Sequence, residues 1–167
     1  GRAPAVNLWQ HALWQRWAVN LAMPAAIALA VFGVGAPNPL GVGGSANRFD
    51  PQRPGITGVT RHPLMWAFAI WAGAHLLANG DLAHVLLFGS MLVFAVAGIA
   101  SAEARARRRP DFALLAARTS LWPLGALLTG RWRPEGFPSP VRAAIAAAVW
   151  AALLWLHRPV IGVTPLP

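Results

Sequence analysis

RHPLMWAFAIWAGAHLLANGDLAH, running from Arg61 to His84, reads as two apolar helices joined by a tight turn. Arg61, His62 and Pro63 form a polar start. Pro63 suits the first turn of a helix, where its missing N–H costs nothing. A mostly apolar run follows, with one ionisable group, His75, set deep within it. Asn79, Gly80 and Asp81 then supply the backbone freedom and side-chain acceptors that end one helix and cap the next. Gly80 is expected at positive φ, where a Cβ is penalised. The stretch therefore predicts a helical hairpin with a histidine near its tip.

Outward from this hairpin, composition sets the class. The 167 residues leave room for one domain, read as residues 1–167. The chain is 56% hydrophobic and only 11% charged, with a mean hydropathy of +0.49. Soluble domains carry roughly a quarter charged residues, so the expectation is an all-α, polytopic integral membrane bundle in contact with lipid. The formal charge is +9, and all 14 basic residues are arginine. They sit between apolar runs rather than along one solvated face, which argues for membrane topology and against nucleic acid as a partner. Cysteine is absent, excluding disulfides, thiolate ligands and iron–sulfur clusters, and tyrosine is absent too. The chain starts at Gly1 without the pattern of a signal peptide and is expected to be a fragment.

In order, the first apolar run is Leu8 to Gly35, Trp-rich at its start (Trp9, Trp14, Trp17) as suits a membrane interface. Its second part, Ala18 to Val34, is long enough for a minimal span and is expected to kink at Pro24. Ala36 to Thr60 reads as a long extramembrane loop of the kind that is often functional or docked. The hairpin's second helix extends from Leu82 to about Ala102 and is followed by the basic cluster EARARRRPD, Glu103 to Asp111. Phe112 to Thr129, broken by Pro123 and Gly125, reads as an interfacial or re-entrant element. Arg131 to Pro140 is a loop, Val141 to His157 the last span, and the tail RPVIGVTPLP is expected not to be helical. The result is about four transmembrane helices plus one broken interfacial segment. Arg48, Arg53 and Arg61 in one loop, with Arg105 to Arg133 in another, place both long loops in the cytoplasm by the positive-inside rule.

Geometry sorts the histidines. His62 and His75, thirteen residues apart, lie roughly 20 Å apart along a helix and cannot share one metal. His75, His84, His157 and His11 fall in the opposite, outer layer. An ionisable group inside a span is costly and usually faces the bundle interior, and imidazole is a common axial ligand of haem. An interhelical hydrogen bond is the commoner role for such a histidine, with metal or haem ligation the sharper one. An acceptor for its second ring nitrogen is expected on a neighbouring helix. Arg61 and His62 suit an interfacial anchor or an anion site, including a propionate. The Arg105–Arg109 cluster suits topology and anionic lipid. Trp71 and Phe68 suit core packing or the wall of a flat cofactor. No P-loop, paired-carboxylate site or serine triad is present, and no internal repeat.

TRHPLMWAFAIWAGAHLLANGDLA (Thr60–Ala83), TSLWPLGALLTGR (Thr119–Arg131) and LHRPVIGVTPLP (Leu156–Pro167) resemble the NnrU family of bacterial membrane proteins, related to cis-zeta-carotene isomerase. The resemblance extends from about Leu8 onward. It implies a multi-pass protein of the bacterial cytoplasmic (inner) membrane, a link to denitrification, and haem b as cofactor. From the related isomerase it implies redox-linked cis/trans isomerisation of a carotenoid-like polyene. On this chain the isomerase's axial histidine matches His75 in WAGAH, its R-H-P element matches Arg61, His62 and Pro63, and its late membrane-edge histidine matches His157. Its cysteine three residues before the axial histidine is Ala72 here. Its other axial histidine lies in an N-terminal helix with no counterpart, so His11, His84 or His157 would substitute, and an N-terminal part of the family domain is expected to be missing. The alternative is a non-catalytic subunit packed against a larger membrane complex through small-residue faces such as Ala143–Ala148.

Overall fold

Four helices align as a row, α7–α1–α3–α4, with short helices and a folded loop closing one end. The computed structural model describes residues 6–45 and 47–166. The elements are α1 (Leu13–Gly33), α2 (Ile56–Val59), α3 (Pro63–Ala78), α4 (Leu82–Arg107), α5 (Phe112–Ala116), α6 (Gly125–Leu128) and α7 (Pro140–Ile161). Among the described residues the only extended pairing is two isolated bridges. The all-α expectation holds. Helices α1, α4 and α7 are long and apolar enough to cross a membrane, and α3 is a shorter apolar helix.

Helix α3 is central because its faces carry small residues. Ala67, Ala69, Ala72 and Ala74 are buried, letting α1 pack on one side and α4 on the other. The outer surfaces are apolar instead: Leu21, Phe94 and Trp155 are 73%, 67% and 79% exposed, the inverse of a water-soluble pattern and the one expected against lipid. Helix α7 packs chiefly on α1, and none of its residues is buried. Arg142 fastens it there: its guanidinium Nη1 donates to the carbonyls of Val31, Phe32 and Val34 at 2.7, 3.0 and 3.1 Å. These are orphan acceptors at the C-terminal end of α1.

The sixteen residues of α3 rise only about 24 Å, short of a hydrocarbon core of about 30 Å. Its polar start is therefore drawn into the protein, and the segments around it fold over that end. Leu124 N–H donates to Val59 O at 2.8 Å, Arg61 N–H to Ser120 O at 2.8 Å, and Arg118 to Gln52 O at 3.2 Å. The two arginine-rich regions thus share one end of the bundle, as the arginine count implies. Phe112 to Thr129 is a broken element, two short helices around the buried pair Thr119 and Ser120.

Four details differ from the sequence expectation. Residues 8–12 are not helical; the chain runs extended there and pairs with the hairpin turn, Leu8 N–H to Gly80 O at 2.7 Å and Leu82 N–H to Val6 O at 2.8 Å. Gly80 is not at positive φ; it is required because a Cβ would strike the Trp9 carbonyl and the Trp9 ring. Helix α4 continues to Arg107, since Ala and Arg are strong helix formers and Arg107 pairs with Glu103 one turn back. The tail starts helical: α7 runs through Pro159 to Ile161, because a proline in the last turn removes a single backbone bond and left-handed Gly162 makes the stop. Helix α1 is continuous across Pro24, as a helix bent at a proline is.

Candidate functional site

The end of α3 near the arginine-rich loops holds a buried polar network. The N-cap His62 and its neighbour Arg61 enter it from the chain before Pro63, and Glu103 enters from the last turns of α4. Arg61 reaches Glu103 with both prongs, Nη2 to Oε1 at 2.7 Å and Nε to Oε2 at 3.1 Å. Its Nη1 donates to Thr119 Oγ1 at 3.2 Å, and the Phe112 ring lies 5.5 Å away under the guanidinium. His62 Nε2 is 3.2 Å from Glu103 Oε2. A carboxylate oxygen only accepts, so Nε2 carries the proton and Nδ1 is a bare lone pair, fully buried and without a partner. Burial outweighs the Glu103 contacts and holds the His62 imidazole below its ordinary pKa.

Backbone bonds fix this network from outside. Asn38 Nδ2 donates to Arg61 O at 2.9 Å, while Asn38 Oδ1 accepts from Leu40 and Gly41 N–H. Thr60 Oγ1 and Trp66 Nε1 both donate to Leu121 O at 2.9 Å. Arg61 and His62 are thus neither exposed anchors nor open anion donors. They are the centre of a closed cap.

The opposite end of α3 carries the histidine layer. His75 Nδ1 donates to Trp71 O, one turn back on the same helix, at 2.8 Å. The acceptor is therefore not on a neighbouring helix, and the geometry leaves His75 Nε2 with its lone pair free. The Trp71 and Phe88 rings flank the imidazole at 5.3 and 5.2 Å, and Phe68 stacks on Trp71 at 5.4 Å. Asn79 Nδ2 closes the helix end on His75 O at 2.7 Å. His157, on α7, repeats the pattern: its Nδ1 donates to Val163 O at 2.8 Å, leaving Nε2 free. His84 is exposed, bonded to Asp81 and stacked on Phe88. His11 is exposed in the extended segment before α1.

Among the described residues no three His, Asp or Glu side chains gather around one point. Glu103 is the residue that sequence reading passed over. The available signal was a lone carboxylate where an apolar helix meets an arginine cluster.

The sequence profile of the NnrU protein family matches residues 1–165. This chain belongs to the NnrU family. No curated protein and no solved structure matches it. In this NnrU chain the R-H-P and W-A-G-A-H motifs occupy the two ends of α3, one sealed and one with free imidazole nitrogens.

Proposed function

We propose that this NnrU protein binds haem b with His75 as an axial ligand, and that it acts in redox-linked cis/trans isomerisation of a carotenoid-like polyene or in denitrification-linked nitrogen oxide metabolism. The observation that carries the reading is the His75 Nδ1–H bond to Trp71 O. It fixes the tautomer in which Nε2 can ligate and makes that nitrogen more basic. When bound, haem iron would supply the redox change that lowers the order of a polyene double bond. The protein's own part is positional. Trp71 O orients the imidazole, Asn79 holds the helix end, and the Trp71 and Phe88 rings flank the imidazole. Ala72, one turn earlier, is wholly buried, so a thiol in exchange with His75 has no counterpart here. His157 supports the same reading as second ligand.

The visible spectrum of protein produced with ample haem tests the proposal. A Soret band is expected in the wild type and lost in His75→Ala, with membrane insertion unchanged because insertion depends on span hydrophobicity. His62→Ala, at the far end of α3, should keep the band. An unchanged spectrum in His75→Ala overturns the ligation. The second reading, an accessory subunit of a larger complex, is favoured by α7, which packs against α1 yet has no buried residue; a haem-free complex from the native membrane would support it.

A further inference from the structure

A cleft of about 350 Å³ opens between Pro39–Val42 and the last turns of α4, beside the sealed network. Its floor is apolar: Leu40, Ala102 and Ala106 are buried, and Leu40 and Ala106 belong to a small core with Leu115, Phe49 and Phe112. Its rim is cationic, with Arg105 and Arg109 facing it. The two arginines differ. Arg109 is neutralised by a two-pronged pair with Asp111, at 2.9 and 2.8 Å. Arg105 donates to Ser101 Oγ at 2.7 Å and, among the described residues, has no carboxylate partner.

We propose that this cleft binds the phosphate headgroup of an anionic membrane lipid, with the Arg105 guanidinium as the selecting charge. Three observations converge on that occupant. The volume is at the small end of the roughly 300–1,000 Å³ of ligand sites. The position is where α4 leaves its apolar run, at the arginine-rich end, so an acyl chain can follow the exposed apolar side of α4 in register with Arg105, where Leu87 and Phe94 lie. An apolar floor under a guanidinium rim suits an amphiphile better than a free ion, and basic pockets beside membrane helices take acidic headgroups. The wall is also preformed. Asn38 pins the Leu40 and Gly41 amides, and Gly41 sits where a side chain would collide with Asn38 and the Arg61 carbonyl. The C-terminal dipole of α4 opposes an anion with only about half a charge, which the unpaired guanidinium outweighs.

The test is thermal unfolding of the purified full chain in mild detergent, titrated with phosphatidylglycerol, with phosphatidylcholine, or with inorganic phosphate. Phosphatidylglycerol should raise the midpoint saturably, and the other two should not. Arg105→Gln should weaken the apparent affinity about tenfold, as expected for one lost charge-assisted contact. Arg105→Lys should keep part of it, and Arg108→Gln, whose exposed side chain lies outside the cleft, should keep all of it. An equal response to phosphatidylcholine, or an unchanged affinity in Arg105→Gln, overturns the site. An equal loss in Arg108→Gln reduces it to diffuse surface charge. A shift reproduced by inorganic phosphate overturns the lipid as occupant. If Arg105→Gln cannot be purified, lipid extracted with the wild type decides: anionic lipid must be enriched over the source membrane, and parity with that membrane refutes the proposal.

Discussion

Glu103 and Arg61, from the end of α4 and the start of α3, meet as a two-pronged ion pair with side chains only 5% and 7% exposed. Everything around them is arranged to satisfy that pair: Thr119 on the guanidinium, His62 and Arg107 on the carboxylate. Removing one partner of a buried pair leaves the other charge uncompensated. Glu103→Gln should therefore destabilise the fold by about 3–5 kcal/mol, seen as a lower thermal midpoint in detergent. The double variant Glu103→Gln with Arg61→Gln should lose clearly less than the sum of the singles. Additive losses would show that the two residues act independently.

His62 makes the cap sensitive to acid. Its pKa is lowered by burial, so at mildly acidic pH the unfolded chain takes up a proton that the folded chain does not. Stability then rises with pH. It is complete above the ordinary histidine value of about 6.5 and declines as pH falls below it toward the depressed folded value. The thermal midpoint should drop between pH 7.5 and 5.5, and His62→Gln should flatten that slope. A variant with the wild-type slope would place the sensitivity elsewhere.

Gly80 is held by close approach rather than by φ. The extended segment before α1 crosses the hairpin turn so tightly that a side chain at position 80 would meet the Trp9 carbonyl. Gly80→Val must push this segment away and break the Leu8–Gly80 bond, at a cost of about 1–3 kcal/mol. Protease should then cut preferentially near residues 8–12. A fully stable, uncut variant would contradict the contact.

The parts of the fold written as apolar runs could be read from sequence, because span length and hydropathy need no knowledge of neighbours. The hairpin from Pro63, the Asp81 cap that accepts from His84 N–H, and the last span are of this kind. What depends on long-range partners could not be read. Glu103 looks like one more charge in EARARRRPD until Arg61, forty-two positions away, is brought against it. Gly80 looks like a turn glycine until Trp9 arrives. The His75 acceptor looks interhelical until the imidazole turns back onto Trp71. Pro159 looks like the start of a non-helical tail until α7 is seen to run two residues past it and stop at left-handed Gly162.

The arrangement of the two arginine-rich regions at one end of the bundle fixes a topology test. A reporter fused after Arg109 should be active in the cytoplasm only, by the positive-inside rule, and one inserted at Gly80 only on the other side. Activity of both on the same side would contradict a membrane-crossing α3–α4 hairpin.

The second ligand is the last point on which the haem reading turns. His75 offers one free Nε2, and the competing partners are His157, His84 and His11. His157 alone shares the full pattern: its Nδ1 is bonded to a backbone carbonyl, that of Val163, and its residue is half-buried. Its position is also held from two sides, because the tail beyond it is tied to α1 by Asn20 Nδ2 to Pro165 O at 2.7 Å. His84 is exposed and tied to Asp81, and His11 lies in the exposed segment before α1. For haem-loaded protein, His157→Ala should convert a six-coordinate, low-spin spectrum to a five-coordinate one while the Soret band persists. His11→Ala and His84→Ala should leave the spin state unchanged. Asn20→Ala, which frees the tail without touching a histidine, should give a partial, temperature-dependent conversion. A low-spin spectrum that survives His157→Ala but not His11→Ala would move the second ligand to the N-terminal segment.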